Sequence, residues 1–200
     1  VKRAVPGLQA TAVSLVTVTD TLVDHSLALS WQIARAASDE FVFTTPGWLQ
    51  KSLQLDDPRI REVRSQVVAG AETETVRWTV TLNEPVHDRL FLIAQATLPP
   101  PSSASVVVES PRVRFEQSVV SIDDEGAATV TYRPVETQQN YAILINQSAG
   151  TLSLKNGSDV ERVEKDDLGR LQVRIDSSLY DQATGMWRVL PKAKSMPSWD

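Results

Sequence analysis

The side chains able to do chemistry are few. Histidine occurs only at His25 and His87. His25 falls in "VDHSLALSWQIA", where Val23, Leu27, Leu29, Trp31 and Ile33 share its face of an alternating pattern. That places it at the rim of an apolar strand face. His87 follows Pro85 in a turn-like stretch and is expected in solvent. Nothing in their spacing brings the two together, and a histidine base needs an orienting partner. No G-x-S-x-G, H-E-x-x-H or G-x-x-x-x-G-K pattern is present. The acidic groups Asp123-Asp124-Glu125 and Asp166-Asp167 lie in turn contexts and lack the alternate-residue spacing of a calcium loop. Adjacent carboxylates at a hairpin tip serve to solvate it. The distant carboxylate pair of a glycoside hydrolase would leave no mark in sequence. The reading is therefore of a chain with no catalytic residue, metal ligand set or cofactor, closer to a binding module than to an enzyme.

The five tryptophans are the remaining candidates. Trp31 and Trp78 lie on apolar faces of patterned strands and belong in a core. Trp187 shares a face with Val189 and reads as core too. Trp199, in the tail, is expected to be disordered or to pack elsewhere in a longer parent chain. Trp48 differs. It follows Pro46-Gly47 in "FTTPGWLQKSLQL", and Leu49, Leu53 and Leu55 mark an apolar face opposite to it. An indole ring left exposed beside polar groups is a platform for a sugar ring. Trp48 is thus the single candidate ligand-binding residue, and it carries a carbohydrate reading.

The elements that must position these residues are strands. "TVRWTVTLN" alternates Val76, Trp78, Val80 and Leu82 against Arg77, Thr79, Thr81 and Asn83. "TAVSLVTVT", Thr11 to Thr19, is apolar on both faces, which predicts a central strand. Turn chemistry separates the runs at Asp56–Pro58, Asn83–Pro85 and Pro99–Pro101, since proline cannot donate to a ladder. "IDDEG", Ile122–Gly126, predicts a hairpin. "KNG", Lys155–Gly157, predicts a type I′ turn, because Asn-Gly tolerates two positive φ angles. With a second turn at Asp166–Gly169, Leu152–Ile175 reads as a three-stranded meander. Helix signals are short, at Ala34–Glu40 and Ser177–Thr184, and Pro58–Gln66 fits either a helix through Ile60 and Val63 or a strand through Val63 and Val67.

The fold class expected is all-β, a mostly antiparallel β-sandwich with very little helix, possibly two β modules in tandem. The proline- and serine-rich stretch after Leu98 suggests a module over 1–117 and a smaller one over 118–200 holding the 152–175 meander. The alternative is one continuous domain over 8–192. The expected core is Val13, Leu15, Leu27, Leu29, Trp31, Ile33, Val76, Trp78, Val80, Leu92, Val130, Tyr132, Ile143 and Ile145.

A net charge of −5 with scattered arginines argues against nucleic acid as a partner. The chain lacks cysteine, so disulfides and thiolate zinc sites are excluded. No apolar run approaches the ~18 residues of a membrane-spanning helix. The chain reads as a non-catalytic structural or protein-interaction module from a larger extracytoplasmic protein, periplasmic, cell-surface or secreted. Its partners would be other proteins or other domains of its parent, with carbohydrate as the alternative ligand.

Overall fold

The computed structural model describes residues 6–68, 74–99, 107–123, 126–155 and 157–200. Its elements are strands β1 (Gly7–Val18), β2 (Val23–Pro46), β3 (Gln54–Leu55), β4 (Ile60–Val68), β5 (Thr75–Leu98), β6 (Val108–Glu109), β7 (Arg114–Ile122), β8 (Ala128–Pro134), β9 (Thr137–Asn146), β10 (Val160–Arg162), β11 (Gly185–Val189) and β12 (Ser198–Trp199). One short helix, α1 (Ser177–Asp181), and three 3-10 segments complete the described residues.

Two strands of 24 residues organise the fold. β2 and β5 pair antiparallel along nearly their whole length. Their ladder breaks between Ile33 and Glu40, where the register shifts twice. Arg35 and Asp88 take positive φ on the two sides of this break. Asn83–Pro85 was expected to end a strand; instead Pro85 falls inside β5, opposite the interruption. A bulge is where a strand tolerates proline, because no ladder hydrogen bond is required of it.

The bend divides one sheet into two layers. The first has the order β10-β11-β9-β1-β2-β5-β3, using Val23–Ile33 of β2 and Asp88–Leu98 of β5. The second uses Glu40–Pro46 of β2 and Thr75–Thr81 of β5, flanked by β4 on one side and by β7 and β8 on the other. Neighbours pair antiparallel except β1 and β9, which are parallel. The chain is an all-β, mostly antiparallel sandwich.

Alternation in the sequence explains the filling of the sandwich. Leu27, Leu29, Trp31 and Ile33 of the first layer meet Phe41, Phe43, Val76, Trp78, Val80 and Phe115 of the second in one buried cluster. β1 lies between β9 and β2 and is apolar on both faces, as its composition predicts. Ala10 and Ala12 face this core, whereas Val13 and Leu15 face a second cluster on the outside of the first layer. Leu168, Leu171, Ile175 and Tyr180 cover that outer cluster.

Those covering residues overturn the expected meander. Among the described residues, Leu154 makes only an isolated bridge to Trp199, β10 pairs with β11, and Lys165–Arg174 is 3-10 helical on either side of a kink at Gly169. The spacing of Leu168, Leu171 and Ile175 fits a helical face as well as Leu171 and Ile175 fit a strand. A capping box decides it: Asp167 accepts from the Glu164 amide at 2.8 Å and Glu164 accepts from the Asp167 amide. Asn156 lies outside the described residues. Gly157 opens a 3-10 turn and does not take positive φ.

Two further expectations are corrected. Val130 is exposed and Tyr132 only half-buried, because β8 is a sheet edge beyond the reach of the first layer. Trp199 is neither disordered nor aimed away from the chain. It is 1% exposed, pairs through β12 with β6, and contacts the Trp187 ring at 5.5 Å. β9 pairs with β1 and β7 with β2, so strands from before and after residue 117 share one sheet.

Gly169, not Gly157, is the glycine that its backbone demands. Its φ of 56° and ψ of −129° suit a residue without Cβ. Gly169→Ala should cost about 1–3 kcal/mol, read as a lower denaturant midpoint. Gly157→Ala should leave the midpoint unchanged or slightly raised, its Cβ meeting only Leu154 at 3.9 Å.

Candidate functional site

Trp48 stands where the second layer ends. β2 runs out at Pro46, and Gly47–Leu49 form a 3-10 turn. The turn is fastened by the Gly47 amide, which donates to the Glu74 carbonyl at 2.7 Å. That approach leaves no room for a side chain, since a Cβ on Gly47 would lie 2.9–3.0 Å from Glu74 atoms. Leu49 turns fully inward, and Trp48 is thrown to the outside with 41% of its surface exposed. The expectation that Trp48 is the exposed tryptophan matches this geometry.

One side of the indole rests on His25. The ring centroids are 5.0 Å apart and the planes are inclined at 55°. His25 is 3% exposed, and its Nδ1 has no hydrogen-bond partner among the described residues. Burial lowers its pKa from 6.5 to about 4, the nearby Asp24 opposing weakly. The imidazole is therefore neutral at pH 7. His87, by contrast, is exposed at the bend in the middle of the β2–β5 pairing, beside Val86 and Asp88, whereas His25 lies near one end of it opposite Ala96, and the two histidines share no site.

Together Trp48 and His25 form part of the wall of a cavity of about 280 Å³. Leu98 and Pro99 close one side, and Val107, Val108 and Glu109 another. Burial pushes the Glu109 carboxyl above the ordinary carboxylate range. The cavity thus combines an aromatic plate, a neutral imidazole and one carboxyl group with aliphatic walls. Glu109 carried no sequence signal, because the pairing of β6 with the chain's last strand brings it here.

Among the described residues the acidic groups do not converge. Asp123 caps the β7–β8 turn by accepting from the Ala127 amide, and Asp167 serves the capping box. Asp124 and Glu125 lie outside the described residues. Among the described residues, no group of three His, Asp or Glu side chains is placed to hold a metal ion, and no helix is long and apolar enough to cross a membrane.

The fold and this cavity define a β-sandwich with a small aromatic-lidded pocket at one seam. No family model matches the sequence, and no curated protein matches it. Among solved structures, the chain is similar to a non-cellulosomal cohesin from Archaeoglobus fulgidus. The identity is 10% and the TM-score 0.34, over 70% of this chain and 93% of the cohesin. A cohesin module from a Clostridium perfringens family 33 glycoside hydrolase aligns at 10% identity and a TM-score of 0.28, over 67% of this chain and 97% of the module. Leukotriene A4 hydrolase from Saccharomyces cerevisiae aligns at 11% identity and a TM-score of 0.42; 98% of this chain covers 29% of that enzyme. At such scores the functional reading rests on the chain's own geometry.

The buried imidazole makes stability depend on pH. In the unfolded chain His25 takes up a proton below about pH 6.5, whereas in the folded chain it does so only near 4. The unfolded state binds more protons between these values, so stability falls as pH falls from 6.5 toward 4. The loss at pH 5 should be roughly 2 kcal/mol. Comparing denaturant midpoints at pH 7 and pH 5 in the parent and in His25→Phe measures it. The parent should lose more than the variant.

Proposed function

We propose that this chain is a non-catalytic interaction module that receives an extended segment of a partner protein at strand β8. The observation carrying the proposal is the outer face of the β7–β8 hairpin. Val120, Ile122 and Val130 are 61%, 71% and 51% exposed, and Val120 pairs directly with Val130. Half-exposed valines occur singly on most surfaces; three on one hairpin face form a patch.

The edge itself supports the same reading. Proteins blunt free sheet edges with charge. β4, the opposite edge of the second layer, carries Arg61, Glu62 and Arg64. β8 carries no charge from Ala128 to Tyr132, and its outer side pairs with no described strand. A strand can add there through main-chain hydrogen bonds. The root of the hairpin is held rigid: Arg77 pairs with Glu116 at 2.6 Å and lies 3.9 Å over the Tyr132 ring. An extracytoplasmic setting in a longer parent protein belongs to the same proposal, and the cysteine-free composition is compatible with it.

Selection from a displayed peptide library tests it. Enriched peptides should alternate apolar residues, protect β8 amides from hydrogen exchange, and bind Val130→Lys at least tenfold more weakly. That variant should keep the parent's unfolding midpoint, its side chain being exposed. Failure to enrich, or equal binding to Val130→Lys, overturns the proposal.

A second reading is favoured by the Trp48 cavity: a carbohydrate-binding module in which the exposed indole stacks on a sugar residue, with His25 and Glu109 facing its hydroxyls. Titration with soluble polysaccharides should shift tryptophan fluorescence in the parent and not in Trp48→Ala. No shift, or the same shift in the variant, removes this reading.

A further inference from the structure

A second cavity, of about 340 Å³, opens on a different seam of the sandwich. The start of β7 crosses above β9 there, and the chain after β11 forms the third wall. Its charged lining residues are Arg112, Arg114 and Lys192, with no carboxylate among the lining side chains. In a chain of net charge −5, three cations around one hollow depart from the surroundings. None of the three forms an ion pair among the described residues.

The polar groups between these cations are aligned in one sense. Asn140 Oδ1 accepts from the Val113 amide at 3.2 Å, and Gln138 Oε1 accepts from the Phe115 amide at 3.0 Å. A backbone N–H can only donate, so each of these amides must direct its oxygen at β7. The NH2 ends are left as donors. Gln139 adds none, because its Nε2 donates to the Asn140 and Val189 carbonyls.

The walls are also held in place. Arg112 donates to the Ala193 carbonyl. The turn containing Ala193 is anchored by Asp159, whose Oδ2 accepts from the Lys194 amide, the Ser195 amide and the Ser195 hydroxyl at 2.8–3.0 Å. Among the described residues Asp159 is the one acidic group whose charge bears on Arg112, and these three donors already engage it. Burial and the neighbouring Arg114 both disfavour the Arg112 charge. An anion in the groove would relieve both.

We propose that this groove binds an oxyanion group, phosphate, sulfate or carboxylate, carried on a polar ligand. Guanidinium forks match such groups, and the amide donors complete their hydrogen bonding. The volume exceeds what a single oxyanion fills, and the Gln138 and Asn140 amides suit a hydroxyl-bearing body.

Titration of the full chain with inorganic phosphate, inorganic sulfate and acetate in low-salt buffer, followed by amide chemical shifts, tests the site. Shifts should concentrate at Val113, Phe115 and Ala193, and the three arms separate the anion classes. Arg114→Gln with Lys192→Gln alters two exposed side chains and spares the Arg112 bond to Ala193. That double variant should weaken binding at least tenfold. Arg133→Gln with Arg162→Gln removes as much charge elsewhere and should leave binding unchanged. Absent shifts, shifts spread over all basic surface, or equal weakening in both double variants overturns the proposal.

Discussion

The structure depends on one buried ring. Trp31 has no exposed surface and touches Phe41 at 5.3 Å, Phe43 at 6.3 Å and Phe115 edge-on at 5.2 Å. It belongs to the first layer, and its three partners belong to the second. Phe41 and Phe43 lie on the same strand as Trp31, past the bend. The bend and the aromatic cluster therefore require each other. Without the register shift these rings would point along one flat ribbon, and without the rings the cluster that joins its halves would lose its largest side chains. Aromatic pairs in such geometry add about 0.5–1.5 kcal/mol each beyond burial. The cost is also visible, since the Trp31 indole N–H has no partner among the described residues. Trp78, the other large ring, donates to Thr45 Oγ1 at 2.9 Å.

The same cluster sets where cavities form. It fills the space between the layers only as far as the second layer reaches. Beyond it, Val16, Val18, Ala142 and Leu144 continue the inner face of the first layer, and Val108 and Trp199 cover them instead. Seams are left where one cover ends and the next begins. The Trp48 cavity lies at such a seam, between the 3-10 turn after β2 and strand β6. The Arg112 groove lies at another, between the start of β7 and the chain after β11. The two differ in chemistry: the first has an aromatic plate, a neutral imidazole and a carboxyl group, and the second has three cations. A β-sandwich has no intrinsic active site, and what its seams display is a matter of the residues placed there.

Much of this was legible in the sequence where period two was unbroken. The alternation of Leu27, Leu29, Trp31 and Ile33, and of Val76, Trp78, Val80 and Leu82, assigned the inner face of both layers. The two-sided apolar pattern of Thr11–Thr19 placed β1 centrally. Trp48 was separable from the core tryptophans because Leu49 and Leu53 claim the opposite side of its turn. Reading failed where local pattern was ambiguous or the cause was distant. Leu171 and Ile175 fit a strand until the Glu164–Asp167 capping box is noticed. Val130 and Tyr132 alternate like core residues, yet no layer lies opposite them. Glu109 and Lys192 carry no local signal at all, because each enters its cavity through contacts between segments remote in sequence.

The two edges of the second layer differ in composition. β4 and β8 have comparable length and flank the same two central strands. β4 is largely exposed, but its charges pair within the strand, Arg64 meeting Glu62 at 2.7 Å. An incoming strand would have to break that pairing and desolvate the charges. β8 offers Thr129, Val130 and Thr131, side chains that favour strands and raise no electrostatic barrier. Its rigidity comes from one side only, through β7 and the Arg77–Glu116–Tyr132 cluster at its root. Past that cluster Val120, Ile122 and Val130 remain exposed among the described residues. The stretch from Ala128 to Tyr132 is an uncharged, β-prone edge fixed at its base, and that is the physical ground for proposing that a second strand adds there.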